Sequence, residues 1–299
     1  MKSFRIWNVL IAVFFLFSVP AAVMARDIDP VVSTDWLEKN LTNPKLVIVD
    51  IRKVEEYKAG HVPGAISVFY NIWAPAKGDL QNELPADDDL KDILSSNGIA
   101  ADSLVVVVGK TDTPPDKANI TRVTWTLIYA GVNNVAALNG GFNKWTADGK
   151  KVSMDAVKAK AKPYKGKFNK DVVAKKDYVL SMLGKATIVD VRENDFYTGK
   201  KKLDFVSRPG HLKGAVNLPT LSQVFMMDGT YKDKAALAAM AEKVVGADKD
   251  RELILYCDTG RIASVWWYLL KESLGYRNVK LYDGSVQDWA KDAKVPLEP

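Results

Sequence analysis

Cysteine and histidine are nearly absent from this chain: its 299 residues hold one cysteine, Cys257, and two histidines, His61 and His211. A single cysteine excludes an intramolecular disulfide, and three such residues cannot assemble the usual zinc or iron–sulfur site. No metal site is expected. Charge of one sign is also scarce. Lys2 and Arg5 supply two of the net +6, so the rest of the chain carries only +4. The basic clusters at 158–170 and 200–202 carry no nucleic-acid motif and read as a solvated linker and loop, so no nucleic-acid partner is expected. With 47% hydrophobic and 26% charged residues the chain is neither disordered nor fibrous, and its length suits two domains at roughly 150 residues each.

Long apolar runs are missing too, with one exception. Residues 1–25 combine Lys2 and Arg5, the apolar run Val9 to Val19, then Pro20 and small residues ending at Ala25. This is the three-part form of a secretory signal, too short in its apolar centre to span a bilayer comfortably. Cleavage after Ala25 and export, to a bacterial periplasm, are expected, with no stable membrane insertion afterwards. The alternative is an uncleaved anchor from Ile6 to Ala25. Exported proteins that keep cysteines usually pair them, so an unpaired Cys257 is either reactive or an inert core residue, and the count leaves both open.

Self-similarity within the chain is pronounced. The apolar run Leu46 to Asp50, with Arg52, precedes Gly60-His61 and Gly64-Ala65; the run Thr187 to Asp190, with Arg192, precedes Gly210-His211 and Gly214-Ala215. Each half continues with an apolar strand (Leu104 to Val108; Leu253 to Tyr256), a helical stretch and a glycine turn (Gly131; Gly275). Each closes on a glycine turn and a tryptophan (Trp145; Trp289). Short, β-branched, wholly apolar strands alternating with helical patterns predict an α/β fold: two copies of a parallel sheet flanked by helices. The first copy is expected at 26–151, the linker at 152–169 and the second copy at 170–299.

The copies differ where loops leave the carboxyl ends of strands, which is where parallel α/β folds place chemistry. Between its aspartate and histidine the second copy is ten residues longer, in the stretch 193–209. After its central strand the second copy reads Cys257, Asp258, Thr259, Gly260, Arg261, Ile262, Ala263 and Ser264, where a strand ends and a helix begins. Such a loop can turn successive backbone N–H groups toward the sulfur, and the helix N-terminus adds positive potential. A stabilised, reactive thiolate is expected. The matching position in the first copy is Gly109.

In order and twice over, these landmarks resemble the rhodanese family of sulfurtransferases: Asp50 to Arg52 and Asp190 to Arg192, both Gly-His segments, the Cys257 loop, and Tyr282 to Ser285. The resemblance implies two tandem rhodanese-like domains, the second catalytic and the first not. It implies two-step sulfur transfer without a separate cofactor. Cys257 takes sulfur from a small donor anion such as thiosulfate as a covalent persulfide, and a cyanide or thiol acceptor removes it. Backbone N–H groups from Asp258 to Ser264 would stabilise the anionic sulfur, and Arg261 would attract the donor. Thiosulfate-type members carry an anion-binding arginine where this chain has Phe196; Arg208 or Lys202 would have to replace it. Asp190, Arg192 and His211 have equivalents in the copy without cysteine, so a structural role near the site is expected of them.

Two other functions compete. A related phosphatase chemistry needs an arginine six residues after the cysteine, where this chain has Ala263, so it is set aside. A persulfide carrier or redox partner for another exported enzyme would present much the same sequence. Oligomeric state, donor identity and acceptor identity stay open.

Overall fold

Alternation of side chains along extended backbone lets one short strand serve two hydrophobic layers, and the strands of this protein do so. A computed structural model describes residues 26–299. The expected leader at 1–25 lies outside the described residues.

In the first copy the strands are β1 (Val31–Val32), β2 (Leu46–Asp50), β3 (Ile66–Ser67), β4 (Leu104–Val108) and β5 (Val135–Leu138), in the sheet order β1-β5-β4-β2-β3. The second copy has β6 (Val173–Ala174), β7 (Thr187–Asp190), β8 (His211–Leu212), β9 (Val216–Asn217), β10 (Leu253–Tyr256) and β11 (Val279–Tyr282). Its main sheet runs β6-β11-β10-β7-β9, the same order as the first. All neighbours within the two five-stranded sheets are parallel. The α/β architecture expected from the repeat is therefore the one observed. β12 (Leu297–Glu298) pairs antiparallel with β8, and Ser153 bridges His61 in the same sense.

The two copies share one core. Val49, Val105 and Val107 of the first sheet and Val189, Leu253 and Leu255 of the second belong to a single buried cluster with the helices between them. The alternate residues Ile48, Val106 and Val108, and Ile188, Ile254 and Tyr256, face outward to two smaller clusters closed by Trp145 and Trp289. At the centre lies the helix Pro114–Ala130, started by a capping box between Thr113 and Asp116 and ended by Gly131. It is buried on nearly every face beyond its first turn, as expected of a helix enclosed by core. Its counterpart Ala263–Tyr268, continued by a π-helical turn Leu269–Ser273, packs against it. Trp125 meets Trp267 edge-on at 6.3 Å, and Thr121 Oγ1 lies 3.0 Å from Ser264 Oγ.

An ion pair crosses this interface. Arg122, fully buried, donates from Nη1 to Asp283 Oδ1 at 2.5 Å and lies over the Trp125 ring. The segment 152–169 keeps its lysines Lys158, Lys160, Lys162, Lys165 and Lys167 exposed, as expected of a solvated linker. It has almost no regular structure, yet it is strapped to the first copy: Lys162 N donates to Ser95 O at 2.8 Å, Tyr164 Oη to Ala130 O at 2.6 Å, and Asn169 N to Tyr129 O at 2.7 Å. Gly131, at φ +95°, permits this approach, because a Cβ there would stand 2.2 Å from the Lys167 carbonyl oxygen. Backbone pairing and the buried Tyr164 ring thus anchor a segment whose charged side chains stay in solvent.

Asp283→Ala would leave the buried Arg122 charge without its partner, at an expected cost of about 3–5 kcal/mol in urea unfolding. The double replacement Arg122→Met/Asp283→Leu should recover most of that loss. Equal stability of wild type and Asp283→Ala would contradict the assignment of this pair.

Candidate active site

The site forms because β10 ends at Tyr256 and the chain must turn at once into the helix Ala263–Tyr268. Cys257 stands at that strand end, only 1% exposed. Equivalence with Gly109 is visible in matched hydrogen bonds. Ile51 N donates to Val108 O as Val191 N does to Tyr256 O, and Phe142 N donates to Gly109 O as Val286 N does to Cys257 O. Gly260 turns the loop at φ +72°, and a Cβ there would meet Asp283 O at 2.7 Å and Arg122 Nη1 at 3.0 Å. The loop is therefore backed directly by the ion pair between the copies.

Three backbone N–H groups, of Thr259, Ala263 and Ile262, point at the Cys257 sulfur. The cysteine's own N–H donates to Ser285 Oγ at 3.2 Å, and Ser285 sits at φ +50° with its hydroxyl donating to Tyr282 O. Arg192 grips Asp190 through Nε and Nη2, donates to Gly210 O at 2.8 Å, and reaches Asp258 Oδ1 from Nη1 at 3.2 Å. Arg52 repeats the grip on Asp50 and Gly60 O in the first copy, where Lys110 replaces the second acid and the guanidinium lies over Phe142 instead. Burial pushes the Cys257 thiol up from its ordinary value and the adjacent Asp258 carboxylate adds to this, against the three N–H groups that favour the thiolate. Burial also raises Asp258, although Arg192 opposes it. The loop thus supplies the N–H groups expected of it, while burial and a neighbouring acid act against them.

A cavity of about 290 Å³ opens onto Cys257. Its walls are largely apolar: Val191, Phe196, Leu203, Phe205, Leu221 and Ile262. Asp258, Thr259 and Arg261 of the loop reach it, and so do Gln81, Asn82 and Pro115 of the first copy. Asn82 Nδ2 donates to Thr259 Oγ1 at 3.1 Å, and Asn82 Oδ1 accepts from Tyr70 Oη at 2.8 Å. The sequence carried no signal for these first-copy residues, because nothing local reveals which loop of one copy will cover the other. Gly260 and Ser264 serve the loop from behind. Ser264 Oγ donates to Arg261 O at 2.6 Å.

Two candidates for the donor-binding cation are displaced. Arg208 donates to the carbonyls of Ala290, Asp292 and Val295, so it ties down the carboxyl-terminal segment and does not line the cavity. Lys202 is exposed and also lies off the cavity wall, while its neighbours Leu203 and Phe205 line the cavity, Phe205 from an exposed position. Arg261 does reach the cavity. Its Nε donates to Asn119 Oδ1 at 2.8 Å, and no carboxylate lies within ion-pair distance among the described residues. His61 and His211 adopt twin positions: each Nδ1 lies 2.9 Å from a tyrosine carbonyl oxygen (Tyr57 and Tyr197), and each ring stacks on that tyrosine at 3.8 Å and 3.9 Å. Neither lines the Cys257 cavity.

Comparison with known proteins agrees with the repeat. The family model for the rhodanese-like domain matches residues 33–148 and again 175–292. A protein of Mycolicibacterium smegmatis named "Putative thiosulfate sulfurtransferase" is 33% identical, over 92% of this chain and 99% of that one. The "Sulfur carrier protein TtuD" of Thermus thermophilus is 30% identical over 89% and 95% of the two chains. Among solved structures, an anaerobic ergothioneine biosynthesis enzyme from Chlorobium limicola superposes with a TM-score of 0.80 at 23% identity, covering 90% of this chain and 70% of that one, a likeness of fold.

The raised thiol has a measurable consequence. Only the thiolate reacts, so the rate of Cys257 alkylation by iodoacetamide should keep rising with pH beyond the ordinary thiol range. Asp258→Asn removes the negative neighbour and should move that rise to lower pH. An unchanged profile would show that Asp258 does not act on the sulfur.

Proposed function

Because the chain belongs to the rhodanese family, as a sulfurtransferase built from two rhodanese-like domains, we propose that it moves sulfane sulfur through a persulfide on Cys257. The donor is a small anion such as thiosulfate, and the acceptor is cyanide or a thiol. The observation that carries this reading is the placement of Cys257: at the end of β10, facing a cavity, with three backbone N–H groups aimed at its sulfur and glycine at the equivalent position of the other copy.

The chemistry follows from that placement. The thiolate attacks the outer sulfur of thiosulfate, an S–S bond forms to Cys257, and the bond to the sulfonate sulfur breaks with its electron pair leaving on sulfite. The N–H groups of Thr259, Ile262 and Ala263 are positioned to stabilise negative charge on sulfur before and after the step. Arg261, without a carboxylate partner among the described residues, supplies positive potential at the cavity wall. An acceptor then attacks the outer sulfur of the persulfide, and Cys257 leaves as a thiolate. Apolar walls keep water from the intermediate. A chain with one cysteine has no internal thiol that could trap the persulfide as a disulfide, which suits an exported protein.

Export itself rests on the character of 1–25. A carrier that loads sulfur and yields it only to a partner protein is the second reading, favoured by the resemblance to the Thermus sulfur carrier.

Intact mass after incubation with thiosulfate should show one added sulfur atom, absent in Cys257→Ala, and cyanide should remove it with turnover reduced about a thousandfold or more in that variant. No adduct with thiosulfate, 3-mercaptopyruvate or polysulfide would overturn the reading; an adduct stable to small acceptors would favour the carrier. Amino-terminal sequencing of the protein recovered from its native cell envelope should begin at Arg26, and a chain beginning at Met1 would contradict cleavage after Ala25.

A further inference from the structure

The positive charge of this protein is concentrated on one segment. Beyond residue 25 the chain carries a net +4, and the stretch 156–167 alone carries +5, from Lys158, Lys160, Lys162, Lys165 and Lys167 with no acid between them. That leaves the other residues after 25 at a net −1. All five lysines are exposed, and none has a carboxylate within ion-pair distance among the described residues, whereas Lys170 just beyond them is paired with Asp87. A nearly neutral body with one row of unpaired cations has a positive pole, and such a pole attracts an extended negative surface.

The fold fixes this row in place. Lys162 N donates to Ser95 O at 2.8 Å, Tyr164 N to Ser95 Oγ at 3.0 Å, and Asn169 N to Tyr129 O at 2.7 Å. Val157, Ala159, Tyr164 and Phe168 pack against the shared core. Gly98, at φ +67°, admits the strap, because a Cβ there would stand 2.3 Å from the Lys160 carbonyl oxygen. With the backbone tied down and the apolar side chains turned to the core, the lysine side chains project into solvent. A loose tether would lose its freedom on meeting a partner; this one has already lost it, so the cations act together at little further cost.

Two observations decide between the extended anions that a lysine row could meet. Nucleic-acid strands are held by cations together with aromatic faces on which bases stack. The aromatic residues of the strap are committed elsewhere: Tyr164 is buried, and Phe168 packs edge-on against Tyr129. A lipid surface asks instead for cations beside apolar side chains that enter the headgroup boundary. Met154, four residues before Lys158, is 76% exposed, and Val152 beside it is 38% exposed. Asp155, the one acid of 152–170, accepts from Ser153 Oγ at 3.1 Å.

We propose that the strap 152–167 is a docking face for a bilayer surface rich in anionic phospholipid, with the five lysines at the headgroups and Met154 at the apolar boundary. Attachment of this kind is peripheral and reversible, and salt weakens it because its main force is electrostatic.

The test uses the mature chain beginning at Arg26, so that residues 1–25 play no part, and vesicles of phosphatidylglycerol with phosphatidylethanolamine or of phosphatidylcholine alone. The protein should sediment with the anionic vesicles at about 0.05 M salt, stay free of the phosphatidylcholine vesicles, and be released at about 0.5 M salt. Lys158→Gln/Lys160→Gln/Lys162→Gln should lower the partition coefficient about a hundredfold. Its urea midpoint should not move, because these lysines serve the strap through backbone atoms only. Met154→Ser should lower partition about threefold. Lys213→Gln/Lys234→Gln/Lys243→Gln removes the same charge from exposed positions of the second copy and should lower partition about threefold or less. No binding to the anionic vesicles, or equal losses in the two triple variants, would overturn the proposal. Tighter binding of a single-stranded oligonucleotide than of the anionic vesicles, with Met154→Ser without effect, would assign the strap to nucleic acid and overturn it as well.

Discussion

Behind the Cys257 loop lies a guanidinium shut away from water. Arg122 comes from the central helix of the first copy, Asp283 from the end of β11 in the second, and Gly260 packs against both. A charge buried this deeply is tolerable only with its partner in place, so the relative position of the two copies is specified at the point that supports the loop. The shared core of helices Pro114–Ala130 and Ala263–Ser273 supplies cohesion, whereas the ion pair supplies register. From that register follow the contact of Asn82 with Thr259, the reach of Arg261 into the first copy, and the closure of the Cys257 cavity by first-copy residues.

Duplication followed by divergence explains how one fold yields two different cavities. Both copies keep the Asp-x-Arg grip on the Gly-His segment and the stacked His–Tyr pair, because these hold the strand ends in place whatever the loop contains. What changed is the residue at the strand end and its neighbour: Cys257 and Asp258 against Gly109 and Lys110. The second copy gained a small apolar cavity over a nucleophile, partly through the inserted stretch 193–209, which delivers Phe196, Leu203 and Phe205. The first kept a larger and more polar space.

Much of this was legible in the sequence because it repeats at fixed order. The wholly apolar runs Leu104–Val108 and Leu253–Tyr256 announce strands buried on both faces, and the strand-to-helix turn at Cys257 announces a sulfur surrounded by N–H groups. What was not legible depends on contacts distant in the chain. Arg208 looks free for a donor until the carboxyl-terminal carbonyls of Ala290, Asp292 and Val295 are seen to occupy it. The stretch from Lys158 to Lys170 keeps its lysines in solvent, but the composition does not show that Tyr164 between them is buried. The raised thiol of Cys257 has the same origin: the loop's N–H groups are local, whereas the burial that outweighs them comes from the whole assembly.

The central claim is that sulfur passes through Cys257 and not directly from donor to acceptor. Thiosulfate carrying a heavy isotope only in its outer sulfur tests it most directly. The account predicts that the isotope appears first on the Cys257 peptide, with unlabelled sulfite released in equal amount, and then in the acceptor product. Label reaching the acceptor product without ever residing on Cys257 would contradict it.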